Sequence, residues 1–285
     1  MRAHYTYEEA VEKLRNDHTS TELISQCYLD RDVLAAANRF LVSEEFAEVT
    51  RLLNLKKTGA TGKILDLGCG NGVTSFAFAS LGYKVFAVDP NPSVEVGVGA
   101  IARLNSELGS NKIMPLLAFG EFLPFPDQTF DVIYTRQVLH HFKNLQEGLN
   151  ECYRVLKPGG YLLVTRDHVI NDNSQLEQFL QSHVLHQLHG GENAYTLKTY
   201  TGSLERAGFK LKKVLGTYDS VINLFPLTKP ELKMTIARTI RKRIRFFPAE
   251  FFLGLPLVDP AIRRTLTRIK KYPGRLYSFL GVKPA

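Results

Sequence analysis

The stretch Ile64-Leu-Asp-Leu-Gly68-Cys-Gly70-Asn-Gly72 places a short apolar run directly before a glycine-rich turn. Glycines let a backbone bend sharply and let a ligand approach it closely. In an open α/β sheet, ligands bind at the carboxyl ends of the strands, where such turns lie. The dinucleotide fingerprint requires its third glycine where this sequence has Val73, so the spacing argues against a nicotinamide-dependent oxidoreductase.

Strand and helix patterns alternate after this turn. Alternation of this length predicts an α/β fold, a doubly wound and mostly parallel sheet with helices on both faces. The predicted strands are 64–67, 84–88, 112–117, 131–134, 161–165, 209–217 and 276–282, and the helices from the glycine turn to the sixth strand are 73–81, 93–108, 145–156, 174–189 and 198–207.

The chain divides into four predicted segments. Residues 1–60 form an N-terminal helical cap, with helices at 8–14 and 33–55 and a basic, glycine-containing end at 56–59. Residues 61–217 form the core, 218–275 a basic helical insertion, and 276–285 the final strand.

Charge is distributed unevenly along the chain. The net charge is +8, but Lys229–Ala285 holds fourteen Lys and Arg against three acids, which gives this segment +11 and leaves −3 for the rest. Such asymmetry predicts an anionic partner. The N-terminus lacks the apolar core of a signal peptide and the three cysteines are widely spaced, so we expect a cytoplasmic protein that holds neither disulfides nor a zinc site.

An acid ends the second predicted strand. Asp89 follows the apolar run 85–88, seventeen residues after Gly72. A carboxylate at this position can accept hydrogen bonds from both ribose hydroxyls of an adenosine ligand. Capping of the turn Asp89-Pro-Asn-Pro92 is the alternative, and the glycine motif upstream favours ribose binding.

Three ordered motifs resemble the class I S-adenosylmethionine-dependent methyltransferases, in particular the methyltransferase type 11 branch related to the ubiquinone and menaquinone C-methyltransferases. The motifs are ILDLGCGNG at 64–72, VFAVDPNP at 85–92, and LPFPDQTFDVIYTRQVLHHF at 123–142 with LKPGGYLLV at 156–164. The resemblance covers roughly residues 60–216. It implies a seven-stranded sheet, S-adenosyl-L-methionine as cofactor, and methyl transfer as the reaction.

The resemblance also implies the cofactor contacts. Asp66 is expected to contact the methionine amino group through the glycine loop, and Asp89 to hold the ribose. The other residues expected to contact the cofactor are Gly68, Cys69, Gly70, Gly72, Pro90, Gly120, Glu121 and Arg136.

One position departs from the family pattern. Many relatives have an acid two residues before the glutamate of G-D-A-E-x-L-P-F, and that acid contacts the adenine amino group. Phe119 stands there in this sequence, before Glu121. We therefore expect adenine to be held by backbone groups and apolar contact.

Candidate catalytic residues follow the fourth and fifth strands. Methyl transfer requires alignment of the acceptor with the methyl group and, for a hydroxyl acceptor, removal of a proton. His168 is the expected base because it follows a strand end and an ordinary histidine pKa is about 6.5; a polar loop residue is the alternative. His140 and Asp167 are further catalytic candidates, although packing is the favoured interpretation of His140 and His141.

Three histidines and a loop follow the fifth strand. His183, His186 and His189 are explained by one helix, capped by Ser174 and Glu177 and ended by Gly190-Gly191, so no metal is predicted. The loop 190–195 lies where the substrate should enter, or it is a plain helix connector. Its candidate substrate residues are Glu192, Asn193 and Tyr195.

The basic insertion bears on the kind of partner that the protein binds. Helices from Pro230 to before Pro248 and from Asp259 to Tyr272 flank an aromatic connector at 246–257. They are either amphipathic helices with solvated charges or a basic lid that recruits an anionic acceptor or an anionic membrane surface.

The favoured function is methylation, at oxygen, of an anionic small molecule or glycan, including a lipid-linked substrate. The alternatives are an RNA methyltransferase, which the scarcity of aromatics among the basic residues disfavours, and a non-catalytic cofactor-binding scaffold.

Overall fold

A mixed sheet organises the chain. The computed structural model describes residues 5–55, 62–224, 227–244, 253, 255 and 258–285. Seven strands lie in the order β3-β2-β1-β4-β5-β8-β7, and β6 pairs with β5 beside this path. The strands are β1 (Lys63–Leu67), β2 (Lys84–Asp89), β3 (Ile113–Leu117), β4 (Phe130–Arg136), β5 (Leu156–Ile170), β6 (Tyr195–Thr196), β7 (Lys210–Leu215) and β8 (Arg275–Val282).

Strand direction follows the sequence prediction. β3, β2, β1, β4 and β5 are parallel, and β8 is antiparallel between β5 and β7. The described α-helices are α1 (Tyr7–Asn16), α2 (Thr21–Gln26), α3 (Val33–Leu41), α4 (Glu44–Leu52), α5 (Val73–Ser80), α6 (Ile101–Glu107), α7 (Leu145–Val155), α8 (Asn173–Ser182), α9 (Val184–Leu188), α10 (Leu197–Arg206), α11 (Val221–Leu224), α12 (Lys229–Arg243) and α13 (Val258–Ile269). The predicted doubly wound α/β fold, with its N-terminal helices, is confirmed.

The N-terminal helices share the core of the sheet. Phe40 of α3 and Phe46 of α4 lie 5.3 Å apart between ring centroids, and Phe46 is 5.4 Å from Phe78 of α5. Phe78 in turn contacts Tyr134 of β4 at 5.2 Å. This continuous aromatic contact buries one side of the cap against one face of the sheet.

Two predicted helices are each broken into two. The pattern at 33–55 predicted one helix, but Ser43 accepts a hydrogen bond from the Phe46 N–H and so begins α4. The predicted helix 174–189 is likewise divided, because His183 ends α8 and begins α9. The N-cap of α8 is Asp172 and not Ser174, since the Asp172 carboxylate accepts from the Ser174 and Gln175 N–H groups. Residues 56–61, which hold the predicted basic helix end, lie outside the described part of the chain.

The basic segment folds as two described helices. Ala237 of α12 is buried and forms a small cluster with Leu253, against which Ile262 packs. Arg263 of α13 donates to the backbone oxygens of Tyr218 and Asp219, which ties α13 to the loop after β7. The predicted aromatic connector, except Leu253 and Leu255, lies outside the described residues, as does Arg245. None of the helices described is both long and apolar enough to span a bilayer.

Candidate active site

A cavity of about 610 Å³ opens at the carboxyl ends of β1, β2 and β4. Its volume falls within the roughly 300–1,000 Å³ of small-molecule sites. One end is lined by the glycine turn after β1 and by Asp89, and the other by His140, His168 and Glu192. The N-terminal helices and the 182–192 region complete the wall. One continuous cavity therefore joins the residues expected to bind the cofactor with the candidate catalytic residues.

The glycine turn and Asp89 are held together by hydrogen bonds. The Gly70 N–H donates to Asp89 Oδ2 over 3.0 Å, and the Asn91 N–H donates to Oδ1 over 2.9 Å. Gly68 has φ +71°, and a Cβ there would lie 2.3 Å from Cγ2 of Val138. The turn thus requires glycine at 68. The carboxylate of Asp89 still faces the cavity with lone pairs available to a ligand.

Asp66 lies beneath the turn. Its buried carboxylate accepts hydrogen bonds from the Thr74 and Ser75 hydroxyls at the start of α5. Burial raises the pKa of Asp66 to about 6, although these hydrogen bonds act in the opposite direction. Thr74 lines the cavity and Asp66 is not among its lining residues, so Asp66 supports the start of α5 without itself reaching the cavity.

Of the remaining residues that were predicted to contact the cofactor, some line the cavity and one lies behind its wall. Gly72 is not among the lining residues; it has φ +84°, and a Cβ there would lie 2.8 Å from Ile101 Cγ1. Glu121 lines the cavity while accepting from the Lys143 N–H over 2.8 Å. The other lining residues of this predicted set are Cys69, Pro90, Gly120 and Arg136.

Arg136 is committed to an ion pair. Its Nε lies 2.8 Å from Glu45 Oε1, and its Nη2 lies 3.2 Å from Oε2, in a buried bidentate contact. The same guanidinium lies over the ring of Tyr28, 5.1 Å from the centroid. Arg136 therefore fastens the N-terminal helices to the end of β4, at the cavity wall.

A bulge in β5 positions Asp167. The sequence placed residues 166–168 beyond a strand ending at 165, but β5 continues to Ile170. The register with β8 shifts between Val164 and Asp167, and Arg166 takes a left-handed φ of +61°. A bulge adds one residue and redirects the side chains that follow. Asp167 consequently lies beside the 3₁₀ helix Leu139–His141 that follows β4.

His140 bridges two carboxylates. Its Nδ1 lies 2.7 Å from Asp167 Oδ1, and its Nε2 lies 3.3 Å from Glu192 Oε2. Burial alone would lower the pKa of His140, but the hydrogen bonds and charges of Asp167 and Glu192 outweigh burial and raise it to about 9. Burial would raise the pKa of Glu192, and the neighbouring histidines lower it to about 2.

His168 is a buried neutral imidazole within β5. Its Nδ1 donates to the Gly274 carbonyl over 2.9 Å, which leaves a lone pair on Nε2. Burial, together with the charge of His140, lowers the pKa of His168 to about 3. The rings of His140 and His168 lie 5.0 Å apart between centroids. His168 is therefore a weak base while His140 holds its proton.

The three predicted substrate residues do not lie together. Glu192 lines the cavity, whereas Asn193 and Tyr195 are not among its lining residues. Asn193 accepts from the Ala194 N–H, and the Tyr195 hydroxyl donates to the Phe142 carbonyl over 3.5 Å. Tyr195 belongs to β6, which pairs with β5. These contacts give Asn193 and Tyr195 a structural role in this conformation.

Several lining residues were not expected from the sequence. Tyr7, Cys27 and Tyr28 reach the cavity from the N-terminal helices. No sequence spacing relates them to the glycine turn, so only the tertiary packing reveals them. His183 and His189 also line the cavity; His183 Nδ1 lies 3.9 Å from Glu192 Oε1, and His189 Nδ1 donates to the Tyr5 carbonyl over 2.8 Å.

The basic segment reaches the site through its backbone. The described residues of 229–274 contribute no side chain to the cavity lining. The Gly274 carbonyl nevertheless holds His168. The segment thus supports the site through the backbone carbonyl that holds His168, without lining the cavity.

The geometry and comparisons with known proteins define the class. The strand order, with β8 antiparallel between β5 and β7, is typical of the class I methyltransferase fold, and the glycine turn after β1 lies beside the acid at the tip of β2. A methyltransferase-domain family model matches residues 65–164. The chain belongs to the class I S-adenosylmethionine-dependent methyltransferases.

Three known proteins illustrate the similarity. The uncharacterized methyltransferase YcgJ of Bacillus subtilis is 32% identical over 47% of this chain and 53% of its own. The thiol S-methyltransferase TMT1B of Rattus norvegicus is 30% identical over 64% of this chain and 74% of its own. Phosphoethanolamine N-methyltransferase 2 of Haemonchus contortus, solved with S-adenosyl-L-methionine, shares the fold at 19% identity and a TM-score of 0.58, covering 99% of this chain and 60% of that one.

The predicted enzyme class and cofactor are confirmed by these findings. The chain spans about half the length of YcgJ and about three quarters of TMT1B. The chain is therefore a member of the S-adenosyl-L-methionine-dependent methyltransferases. The acceptor and the methylated atom are matters for proposal.

Proposed function

We propose that this protein transfers the methyl group of S-adenosyl-L-methionine to the oxygen or sulfur of a small molecule bound at the histidine end of the cavity. The observation that supports this proposal is the single cavity that joins Asp89 and the glycine turn to His140, His168 and Glu192. In-line transfer requires both reactants in one water-poor space, with the acceptor atom facing the methyl group.

The cofactor end has the groups that S-adenosyl-L-methionine requires. Asp89 would accept from the ribose hydroxyls, and the backbone at Gly68 and Gly70 leaves room for the methionine portion. Gly120 and Phe119 line the place expected for adenine. When bound there, the cofactor supplies an electrophilic methyl group on a positively charged sulfur.

The acceptor end favours a heteroatom that must lose a proton. His140, His168 and Glu192 are polar and buried, whereas Leu23, Val184 and other neighbouring wall residues are apolar. An acceptor with an apolar body and one hydroxyl or thiol matches this division. His140 and His168 would prepare that group for transfer, and Asp167 would act through His140 as a positioning residue. The name of the rat relative, a thiol S-methyltransferase, supports inclusion of sulfur.

The anionic character proposed for the acceptor depends on the basic segment. The cluster itself contains two buried carboxylates, so a negative group of the acceptor would be repelled there. An anionic acceptor or lipid-linked substrate, including a glycan, would have to place its charge outside the cavity, toward exposed residues such as Lys270 and Lys271.

The test combines binding with an acceptor screen. Calorimetry with S-adenosyl-L-methionine should show binding to the full chain. Labelled cofactor should then transfer label to a hydroxyl or thiol in a panel that also contains amines and carbon acids. His140→Ala should lose transfer by about 10²-fold or more while keeping cofactor affinity, and His186→Gln, outside the cavity, should match the unmodified protein. Label found only in amines or carbon acids would refute the proposed acceptor class.

A further inference from the structure

Three potential metal ligands converge at the polar end of the cavity. His140, His168 and Glu192 each offer a ligand atom, and these atoms lie within 4.8 Å of one another. The residues come from the 3₁₀ helix after β4, from β5, and from the loop before β6. The histidines weighed for a metal in the sequence were His183, His186 and His189, which form no such group in the part of the chain described here.

Both imidazoles are held in the orientation that ligation requires. His140 Nδ1 is bound to Asp167 at 2.7 Å, and His168 Nδ1 is bound to the Gly274 carbonyl at 2.9 Å. Each contact leaves Nε2 as the nitrogen that can bind an ion. Metal-binding histidines nearly always donate their other N–H to a carboxylate or a backbone carbonyl in this manner.

We propose that Nε2 of His140, Nε2 of His168 and a carboxylate oxygen of Glu192 bind a divalent first-row transition metal ion. Two imidazoles and one carboxylate suit Zn²⁺, Fe²⁺ or Mn²⁺ and are a poor match for Ca²⁺ or Mg²⁺, which prefer oxygen ligands. Three protein ligands leave at least one coordination position open.

Charge balance supports a cation at this place. Asp167 and Glu192 are both largely buried, with 0% and 8% of their side chains exposed. Asp167 Oδ2 is buried and has no hydrogen-bond partner within the described residues. Buried carboxylates need a compensating positive charge. Either a proton on His140 or a divalent ion can supply it, and the two are alternatives because a ligating Nε2 carries no hydrogen.

The open position would be available to the acceptor, because His140, His168 and Glu192 all line the cavity. This consequence rests on the proposed function. A hydroxyl or thiol bound to the ion through its oxygen or sulfur loses its proton to solvent more readily than the free group does. The resulting anion forms the new bond to carbon as the bond from carbon to the sulfonium sulfur breaks. A metal-bound acceptor would therefore not need His168 as its base.

The test measures metal binding directly. The full chain, purified without a histidine tag and treated with a chelator, is titrated with Zn²⁺ by calorimetry and with Co²⁺ by visible absorption. We expect a single site with a tetrahedral or five-coordinate Co²⁺ spectrum. His168→Ala and Glu192→Gln should each weaken Zn²⁺ binding by about tenfold or more. His186→Gln is the matched control, a nearby histidine outside the cavity, and should bind Zn²⁺ as the unmodified protein does.

The possible outcomes distinguish a failure of the metal site from a failure of the proposed function. Thermal unfolding of each variant, and its binding of S-adenosyl-L-methionine, show whether it is folded. Folded protein that takes up no Zn²⁺, or equal Zn²⁺ affinity in all variants, overturns the metal site and leaves methyl transfer to be judged by the acceptor screen. Zn²⁺ binding that depends on His168 and Glu192 upholds the site even if that screen finds no hydroxyl or thiol acceptor.

Discussion

Glu45 and Arg136 form a buried bidentate ion pair that joins α4 to the end of β4. The Nε–Oε1 distance is 2.8 Å, and the side chain of Glu45 is fully buried. Because Arg136 also lines the cavity, the pair links the position of the N-terminal helices to the shape of the ligand site. The sequence assigned Arg136 to the cofactor; the structure shows that its charge is already paired within the protein.

Glu45→Ala should destabilise the protein and weaken cofactor binding. Removing one partner of a buried pair leaves an uncompensated charge and costs about 3–5 kcal/mol. Urea unfolding and calorimetry with S-adenosyl-L-methionine measure the two effects. Glu48→Ala breaks an exposed pair with Arg51 on the same helix, so it should cost less than about 1 kcal/mol. Equal losses in the two variants would contradict the role given to Glu45.

Asp89→Asn should weaken cofactor binding more than it lowers stability. Hydrogen bonds to a charged acceptor contribute about 1.5–3 kcal/mol each, and about 1.4 kcal/mol corresponds to a tenfold change in affinity. The amide keeps one acceptor for the Gly70 or Asn91 N–H, which limits the structural loss. Asp172→Asn, an exposed helix cap, is the control. A dissociation constant within threefold, about 0.7 kcal/mol, of the unmodified protein's would show that Asp89 does not hold the ribose.

Phe119→Ala should weaken cofactor binding through loss of a flat apolar surface for adenine. Phe119 lines the cavity although it is 56% exposed, and Lys143 Nζ lies 5.8 Å from its ring centroid. Stacking of a base on an aromatic ring contributes about 1–3 kcal/mol. Phe122, 75% exposed and not among the lining residues, provides the matched substitution. If both alanine variants bind S-adenosyl-L-methionine equally well, adenine does not contact Phe119.

Local signals were sufficient to predict most of the sheet. The apolar runs of β1, β2 and β4 are short and bounded by glycine or polar residues, so pattern and boundary agree. The end of β5 could not be predicted in the same way. The bulge at Arg166 produces no periodic pattern in the sequence. The pairing of β5 with β8 joins residues that are more than a hundred positions apart. The capping of α8 was ambiguous because Asp172 and Ser174 are both favourable N-cap types.

In the candidate site, too, some contacts could be predicted from the sequence and others could not. Asp89 and the glycine turn are close in sequence and conform to a motif, so their proximity was predictable. Glu192 lies fifty-two positions after His140, and the sequence treated the two separately. Their contact depends on the break between α8 and α9 and on the pairing of β6 with β5, which are tertiary features. A residue pair of this kind has no signature in a single sequence.

Asp66→Asn should change the pH dependence of stability. The ordinary pKa of 3.8 is raised to about 6 in the folded protein, so the folded state binds this proton more tightly than the unfolded chain does. The charged carboxylate therefore destabilises the fold progressively as pH rises from about 4 to about 6. The variant, which does not titrate here, should gain roughly 2 kcal/mol relative to the unmodified protein between pH 4 and pH 7. Urea unfolding at several pH values gives the difference, and a flat difference would refute the raised pKa.

Replacing Lys229, Arg238 and Lys242 with glutamine should release the protein from anionic vesicles without changing cofactor affinity. These exposed residues lie on α12, and the same segment exposes Met234, Ile244 and Ile269, which are 49%, 57% and 64% exposed. A segment that exposes both basic and apolar groups favours binding to an anionic bilayer surface. Each Lys or Arg near that surface contributes about 1 kcal/mol to the free energy of binding. Cofactor affinity should stay unchanged because α12 contributes no described residue to the cavity lining.

Vesicle cosedimentation at low and high salt tests this expectation. Binding of the unmodified protein should fall as salt is added, since screening at about 0.15 M limits exposed charges to roughly 8 Å. The charge-matched control replaces Lys63, Lys112 and Lys198, which are also basic but lie in the core region. If the unmodified protein does not bind anionic vesicles at low salt, or if both triple variants bind equally, the charges of α12 are solvated. In that case the segment stabilises the protein through the packing of Ala237 against Leu253 and through the hydrogen bond that holds His168 at the Gly274 carbonyl.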